Sequence, residues 1–186
     1  MVEGTGLENQ QAGNRLVGSN PTLSAIYYMQ QITIAPLKDS DIAQVAPMLD
    51  YSWLMHAEKN DLYSIEEFSK ANKATNWLKR MILNKDFGAF VAHFNKQAVG
   101  FIGFEIRDNP SYFTYKKQLF IVDVVVHKDH QGQGIATALE QQVEDEAKNL
   151  GLHMISGHVD TWNTSSQALM KKLGRTKGYE EWHKIV

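Results

Sequence analysis

The feature that most constrains the fold of this chain is a strand, a glycine turn and a helix that follow one another over residues 119–150. The β-branched run from Ile121 to Val126 is typical of a buried strand. The turn Gln131-Gly-Gln-Gly134 comes next, and apolar residues then recur from Ile135 at the i, i+4 spacing of one helical face. Such a unit aims free backbone N–H groups at an anion, and glycines let a phosphate approach the backbone.

The spacing Gln131-x-x-Gly134-x-Ala136 resembles the acyl-CoA signature of the GNAT superfamily of N-acetyltransferases, Gln/Arg-x-x-Gly-x-Gly/Ala. A Gly-rich turn alone is weak evidence, because turns are rich in glycine. Here the strand before it, the helix after it and a second motif from Asn163 to Gly174 stand in the family's order. The resemblance covers about residues 30–175 and implies acetyl-CoA as the acyl donor.

In that family the pyrophosphate lies over the glycine turn, and the pantetheine arm pairs with the central strand like an added β-strand. The resemblance therefore implies that the cofactor contacts Val124, Val125, Val126, Gln131, Gly132, Gln133, Gly134, Ile135, Ala136 and Asn163. The dipole of the helix that follows the turn favours the negative charge. Asn163 also fits as the N-cap of the next helix, and the two roles are compatible.

Composition narrows the classes of protein that this chain fits. Its 186 residues suffice for one domain with a core, and a net charge of −2 argues against a dedicated nucleic-acid binder. No apolar run approaches the roughly 20 residues that span a bilayer, and no secretory signal opens the chain. We therefore expect no nucleic-acid or membrane partner and a cytoplasmic location.

Cysteine is absent from the chain, so neither a disulfide nor an acyl-cysteine intermediate can form. Acetyl transfer is therefore expected to be direct, within a ternary complex. No Cys/His cluster has the spacing of a zinc site either, and we expect no metal.

Residues 1–28 are rich in Gly, Asn, Gln and Ser and show no periodicity, so a disordered extension is expected. Alternatively the segment is a spurious extension translated from a neighbouring tRNA gene, because a T-arm sequence can encode Gly18-Ser-Asn-Pro21. The native start would then be Met29. In both cases the N-acetyltransferase domain occupies residues 29–186.

From Met29 onward the pattern predicts an α+β fold, a mixed β-sheet flanked by about four helices. The predicted strands are 31–36, 89–94, 98–106, 119–126, 155–159 and 179–185. The predicted helices are 39–55, 65–83, 134–150 and 165–173. Many relatives dimerise through the sheet or its C-terminal strands, so residues 179–186 are the candidate edge for a homodimer.

An alkylammonium ionises with a pKa near 10.4, so a base must remove a proton before the amine can attack. His158 is the first candidate, because some relatives that acetylate N-terminal alanine place a catalytic Glu five residues before the position of Asn163. Asp123 is the second, since a carboxylate inside a β-branched run is costly to bury unless it is paired or at a cleft. His158 also fits as a histidine bonded inside the sheet, and Asp123 as half of an ion pair. Asp160 and Glu105 are weaker candidates.

The second motif departs from the family at Met170, where many relatives have a tyrosine that protonates the departing CoA thiolate. Methionine cannot donate a proton. Arg175 also follows Gly174 where the family has Phe. Tyr179 is the substitute candidate for the general acid, and water is the alternative, because a thiol with a pKa of about 8.5 leaves readily as the thiolate.

The family places the acceptor between the first two helices and the loop before the central strand. Aromatic and acidic residues in these regions suit a cationic amine, although each of them also fits as an ordinary core or surface residue. They are Tyr51, Trp53, His56, Glu58, Asp61, Tyr63, Tyr112, Phe113 and Tyr115.

We therefore predict an enzyme that transfers acetyl from acetyl-CoA to a primary amine of a small molecule or peptide. A polyamine, an aminoglycoside-like molecule, an amino acid and a peptide N-terminus remain open as acceptors. One alternative is a non-catalytic acyl-CoA-binding sensor of the same fold. The other alternative is a nucleotide-binding domain, but the chain contains neither the Gly-Lys-Ser/Thr nor the G-x-G-x-x-G pattern of such domains.

Overall fold

The computed structural model describes residues 28–178 and residue 184. The strands are β1 (Ile32–Pro36), β2 (Phe87–Phe94), β3 (Gln97–Asp108), β4 (Lys117–Val126) and β5 (Ile155–Gly157). They form one sheet in the order β1-β2-β3-β4-β5, antiparallel throughout except that β4 and β5 run parallel. The mixed sheet that the sequence predicts is confirmed.

Five helices lie wholly within the described residues. They are α1 (Ile42–Lys59), α2 (Ile65–Phe68), α3 (Lys73–Leu83), α4 (Ile135–Asn149) and α5 (Thr164–Lys172). The single helix predicted over 65–83 is two helices, because Asn72 takes a left-handed φ of 59° through which a helix cannot continue. The strand predicted over 155–159 ends at Gly157, and the one predicted over 179–185 falls outside the described residues.

The sheet carries a hydrophobic core on each face. On one face α1 and α3 bring Leu49 and Leu78 against Phe101 of β3, and all three are fully buried. On the other face Leu139 of α4 belongs to a second core with Ile102 of β3. Neighbouring residues of β3 thus point to opposite faces, as a strand buried on both sides requires.

A β-bulge in β4 determines what this strand presents to the α1 face. Gly103 lies opposite Asp123 and Phe104 lies opposite Ile121, so Val122 is an extra residue without a partner in β3. A bulge of this kind redirects side chains and bends the strand. It allows Val122 and Asp123 to line the same cavity.

The pairing of β4 with β5 ends where Ile121 lies opposite Gly157. From there to Val126 the β5 side of β4 has no strand partner among the described residues. β4 and β5 therefore separate at the bulge and leave an open backbone edge over residues 122–126.

Tyr28, the last residue of the predicted extension, is itself packed against the domain. Its ring lies 4.7 Å from that of Phe94, and its hydroxyl lies 2.5 Å from His130 Nδ1. Residues 1–27 lie outside the described residues, so the proposed nature of the extension stays a prediction. In the part of the chain that the structure describes, no helix has the length and apolar character needed to cross a membrane.

Candidate active site

The glycine turn leads into a helix whose N-terminus is uncapped. Gly132 and Gly134 have left-handed φ values of 74° and 91°, a conformation that favours glycine. Gly134 is the N-cap of α4, no side chain caps the helix there, and its first turn contains no acidic residue. The first backbone N–H groups of α4 therefore remain available, at the positive end of the helix dipole.

The side chains around the turn have separate roles. Gln131 donates from Nε2 to the carbonyl of Val126 at 3.1 Å, which ties the turn to the end of β4. Ile135 is only 1% exposed and packs in the core, so it can offer a ligand nothing but its backbone. Met29 Sδ lies 3.7 Å from the point that a Cβ on Gly134 would occupy, so a side chain there would meet methionine.

The open edge of β4 comprises the three valines that the resemblance assigns to pantetheine. Val124 and Val126 pack toward the α4 core and Val125 toward the α1 core, so their side chains are structural. Their backbone on the β5 side could pair with an extended ligand. Asn163 accepts a hydrogen bond from the backbone N–H of Ser166 at 3.0 Å, which makes it the N-cap of α5.

A pocket of about 350 Å³ opens on the α1 face of the sheet. Four aromatic rings, one acid, two cations and a valine line it: Trp53, Phe68, Trp77, Phe120, Asp123, Lys73, Arg107 and Val122. We call it the aromatic pocket. Its position beside the open edge of β4 places it next to the predicted path of the pantetheine arm.

Asp123 is the acidic residue of the aromatic pocket. It accepts hydrogen bonds from the indole N–H of Trp53 at 2.7 Å and of Trp77 at 3.1 Å, and the described residues supply no ion pair for it. Burial raises the pKa of Asp123 to about 6. The two indole donors and the charge of His56 lower the pKa, but by less than burial raises it. The ion pair with Lys or Arg that the sequence left open is thus replaced by two neutral donors.

The two cations of the aromatic pocket already have carboxylate partners. Lys73 Nζ lies 3.0 Å from Glu67, and Arg107 Nε lies 2.7 Å from Glu105. The Arg107 guanidinium also covers the ring of Phe120, 3.6 Å from its centre. The pocket therefore combines one carboxylate without a paired cation and two cations held at its wall.

A histidine and an aspartate that are distant in sequence meet beside this pocket. His56 Nδ1 lies 2.6 Å from Asp160 Oδ2, and the amide of Asn60 donates to the other oxygen of Asp160 at 2.8 Å. The ring of Trp162 packs 4.8 Å from that of His56. In the sequence, His56 stands only among the residues of the predicted acceptor region, and Asp160 is one of the weaker candidate bases. Their 104-residue separation left no local signal of the pair.

The other candidates from the sequence have varied surroundings. His158 is exposed, follows directly after β5 and meets Phe120 edge-on with ring centres 5.0 Å apart. No hydrogen bond joins His158 to another described residue, in contrast to the alternative of a histidine bonded inside the sheet. Tyr179 lies outside the described residues. Glu105 is the partner of Arg107, and Met170 is half-buried in α5.

Phe68, Trp77 and Phe120 line the aromatic pocket, but sequence analysis did not single them out. They come from α2, α3 and β4, and each reads in the sequence as an ordinary apolar core residue. Within the acceptor region Tyr51 and Tyr112 are largely exposed, at 65% and 84%. Among the described residues no group of three or more His, Asp or Glu side chains is arranged to hold a metal ion.

Known proteins share both sequence and fold with this chain. The model of the Acetyltransferase (GNAT) family matches residues 51–174. The L-amino acid N-acyltransferase MnaT of Escherichia coli (strain K12) is 37% identical over 51 residues, which are 27% of this chain and 30% of that protein. The match thus spans about 30% of the length of that relative.

Two solved structures illustrate the shared fold. The aminoglycoside N-acetyltransferase AAC(6')-Iy in complex with CoA superposes with a TM-score of 0.69 at 16% identity, over 83% of this chain and 94% of that chain. Ribosomal-protein-alanine N-acetyltransferase from Brucella melitensis biovar Abortus 2308 gives a TM-score of 0.61 at 18% identity, over 83% and 99%. At these identities the likeness establishes the fold and nothing finer.

Proposed function

We propose that this chain, which belongs to the acetyltransferase (GNAT) family and is an acyltransferase, uses acetyl-CoA as its donor. In this proposal it transfers the acetyl group directly to a primary amine. The observation that carries the proposal is the aromatic pocket with the carboxylate of Asp123, next to the open edge of β4. An aromatic cage with an anion is a suitable site for an ammonium group.

The donor site in this proposal is the glycine turn together with β4. The uncapped first turn of α4 binds the pyrophosphate through backbone N–H groups, with the remaining turn residues around it. Val124, Val125 and Val126 pair with the pantetheine arm, which brings the thioester to the gap between β4 and β5. Asn163 caps α5 and contacts the arm with the rest of its amide.

Calorimetry with acetyl-CoA on Gly134→Glu tests the donor site. A glutamate at this φ of 91° strains the turn and puts a negative charge at the pyrophosphate, so we expect binding to be lost. Gly151→Glu is the matched control, because Gly151 has a left-handed φ of 68° with open space around it at the other end of α4. Equal binding by wild type and Gly134→Glu would contradict the proposed donor site.

The charges of the aromatic pocket favour an acceptor with one ammonium group. Asp123 is available to one cation, whereas Lys73 and Arg107 are already paired with glutamates, so the lining of the pocket offers no second carboxylate to a further positive group. A compact amine with an apolar side and a carboxylate, such as an L-amino acid, matches this arrangement better than a polycation does. The name of the E. coli relative points the same way, while AAC(6')-Iy is named for aminoglycosides.

An amine panel tests this part of the proposal by thiol release from acetyl-CoA. Apolar and aromatic L-amino acids should give the highest kcat/KM, above spermidine, an aminoglycoside and a short peptide. Preference for the polycations would overturn the acceptor class. Binding of CoA without turnover on any amine would favour the acyl-CoA sensor. Met170, which stands where the family has a tyrosine, is the feature that supports this alternative.

A further inference from the structure

The pair of His56 and Asp160 is built as an oriented imidazole. Both oxygens of Asp160 are occupied, one by His56 Nδ1 at 2.6 Å and one by Asn60 at 2.8 Å, so the carboxylate is held in place. Because an ionised carboxylate only accepts hydrogen bonds, Nδ1 donates to Asp160, and Nε2 is the nitrogen that holds the lone pair whenever the ring is unprotonated. The described residues provide no hydrogen-bond partner for Nε2 of His56.

The location of His56 connects it to both halves of the candidate site. It lies one helical turn after Trp53 on α1, and Trp53 donates to Asp123 in the aromatic pocket. Its partner Asp160 follows β5, the strand that separates from β4 at the bulge. The imidazole therefore lies near Asp123 of the aromatic pocket, and its partner Asp160 lies on the segment that follows the strand bordering the gap.

The charged and titratable groups around His56 come from four parts of the chain: α1, the loop after it, β4 and the segment after β5. Asp160 follows β5, and Asp123, which interacts electrostatically with His56, lies on β4. Tyr63 meets His56 edge-on with ring centres 6.3 Å apart. Lys59 of α1 lies 4.3 Å from the ring centre of Trp162, which packs on the other side of His56. Asp160 is thus the carboxylate bonded to the imidazole, and Asp123 is a second carboxylate close enough to interact with it electrostatically.

We propose that His56 is the general base of acetyl transfer and that Asp160 is its positioning residue, an inference that rests on the proposed function. Asp123 holds the acceptor ammonium, and Nε2 of His56 removes one proton from it to give the free amine. The amine nitrogen then bonds to the thioester carbonyl carbon, the C–S bond breaks, and the second N–H proton ends on the CoA thiolate. The products are the acetamide, CoA thiol and one proton released from His56 to solvent.

Steady-state kinetics on His56→Gln with the best amine tests this role. We expect kcat/KM to fall roughly 100- to 10,000-fold, the usual contribution of a general base, with acetyl-CoA binding by calorimetry unchanged. Imidazole added to His56→Ala should restore part of the rate, which a purely structural histidine would not allow. Asp160→Asn should lower kcat more than it raises the acceptor KM, and Asp160→Glu should recover part of kcat.

The chain supplies a matched control in a second histidine–aspartate pair. His93 Nε2 lies 3.1 Å from Asp41 at the other end of the sheet, so His93→Gln should leave kcat/KM unchanged. If wild type is active and His56→Gln has the same rate, the role of His56 is overturned but the proposed function is not. The same conclusion follows if His158→Gln loses activity and His56→Gln does not. Wild type that binds CoA but acetylates no amine would instead overturn the proposed function. If His56→Gln does not fold, imidazole rescue of His56→Ala and the Asp160 variants decide the question.

Discussion

The buried carboxylate of Asp123, which we propose binds the acceptor ammonium, opposes the stability of the fold. Its pKa of about 6 in the folded protein lies above the ordinary 3.9 of an unfolded chain, because burial disfavours the charge. The folded state therefore binds more protons between about pH 4 and 6, and stability falls as the pH rises through that window. A shift of two pKa units corresponds to roughly 3 kcal/mol, so the ionised Asp123 destabilises the fold at neutral pH.

Asp123→Asn should separate stability from activity. The amide removes the buried charge, but it can accept from only one of the two indole N–H groups, a loss that applies equally at every pH. Relative to wild type, we therefore expect the free energy of unfolding of the variant to rise by roughly 3 kcal/mol between pH 4 and pH 8. Acetyl transfer should be lost, because the amide cannot bind an ammonium as an ion pair. Urea unfolding at several pH values measures the first effect. Asp108→Asn, a change of an exposed aspartate near Lys117, serves as the control, and a stability difference between Asp123→Asn and wild type that stays constant from pH 4 to pH 8 would refute the argument.

At the scale of elements, an ion pair fastens the segment after α5 onto α4. Glu140 of α4 is 0% exposed, and Arg175 pairs with one of its oxygens. Burial raises the pKa of Glu140 and the charge of Arg175 lowers it. Arg175 stands where the family motif has Phe, so this chain uses a charge pair where the motif predicts an apolar residue.

Breaking this pair should weaken the docking of α5. Arg175→Met leaves a buried carboxylate without its cation, so we expect a loss of about 3 kcal/mol at pH 8 and a smaller loss at pH 5, where Glu140 protonates more easily. The double variant Glu140→Met/Arg175→Met should regain most of this stability. The exposed pair of Lys148 and Asp145 on the same helix is the comparison, since Lys148→Met should cost under about 1 kcal/mol. Guanidinium unfolding gives all four values, and equal costs for the two pairs would contradict the prediction.

In the whole molecule, helices pack closely onto the sheet at two glycines of β3, Gly100 against α4 and Gly103 against α3. A Cβ on Gly103 would stand 2.6 Å from Met81 Cε of α3 and 3.1 Å from the ring of Phe101. Gly103 also lies opposite Asp123 across the bulge. The glycine therefore sets the spacing of the two layers directly beneath the aromatic pocket.

Gly103→Ala should displace the end of the Met81 side chain, which is buried at 3% exposure. Overpacking of this kind typically costs about 1–3 kcal/mol, and the displaced bulge should also raise the acceptor KM while acetyl-CoA binding stays the same. Thermal unfolding and steady-state kinetics measure the two effects. Gly178→Ala, with open space around its Cβ, is the neutral control. An unchanged melting temperature in Gly103→Ala would show that Met81 moves aside freely.

The features that depend on residues close together along the chain can be predicted from the sequence. The turn at 131–134, the helix that starts at Ile135 and the mixed sheet follow from local periodicity and from glycine's access to positive φ. The acyltransferase family followed from the spacing of the same residues. The break at Asn72 escaped prediction, because the left-handed conformation of a single asparagine leaves the apolar pattern around it intact.

The contacts between side chains that are distant in sequence are seen only in the tertiary structure. The pairing of His56 with Asp160 and the two indole bonds to Asp123 join residues 46 to 104 positions apart, and no local pattern encodes such contacts. The β-bulge at Val122 and the early end of β5 at Gly157 likewise depend on how neighbouring strands register. A pocket is formed by elements packed together, so its chemistry appears only once the chain is folded.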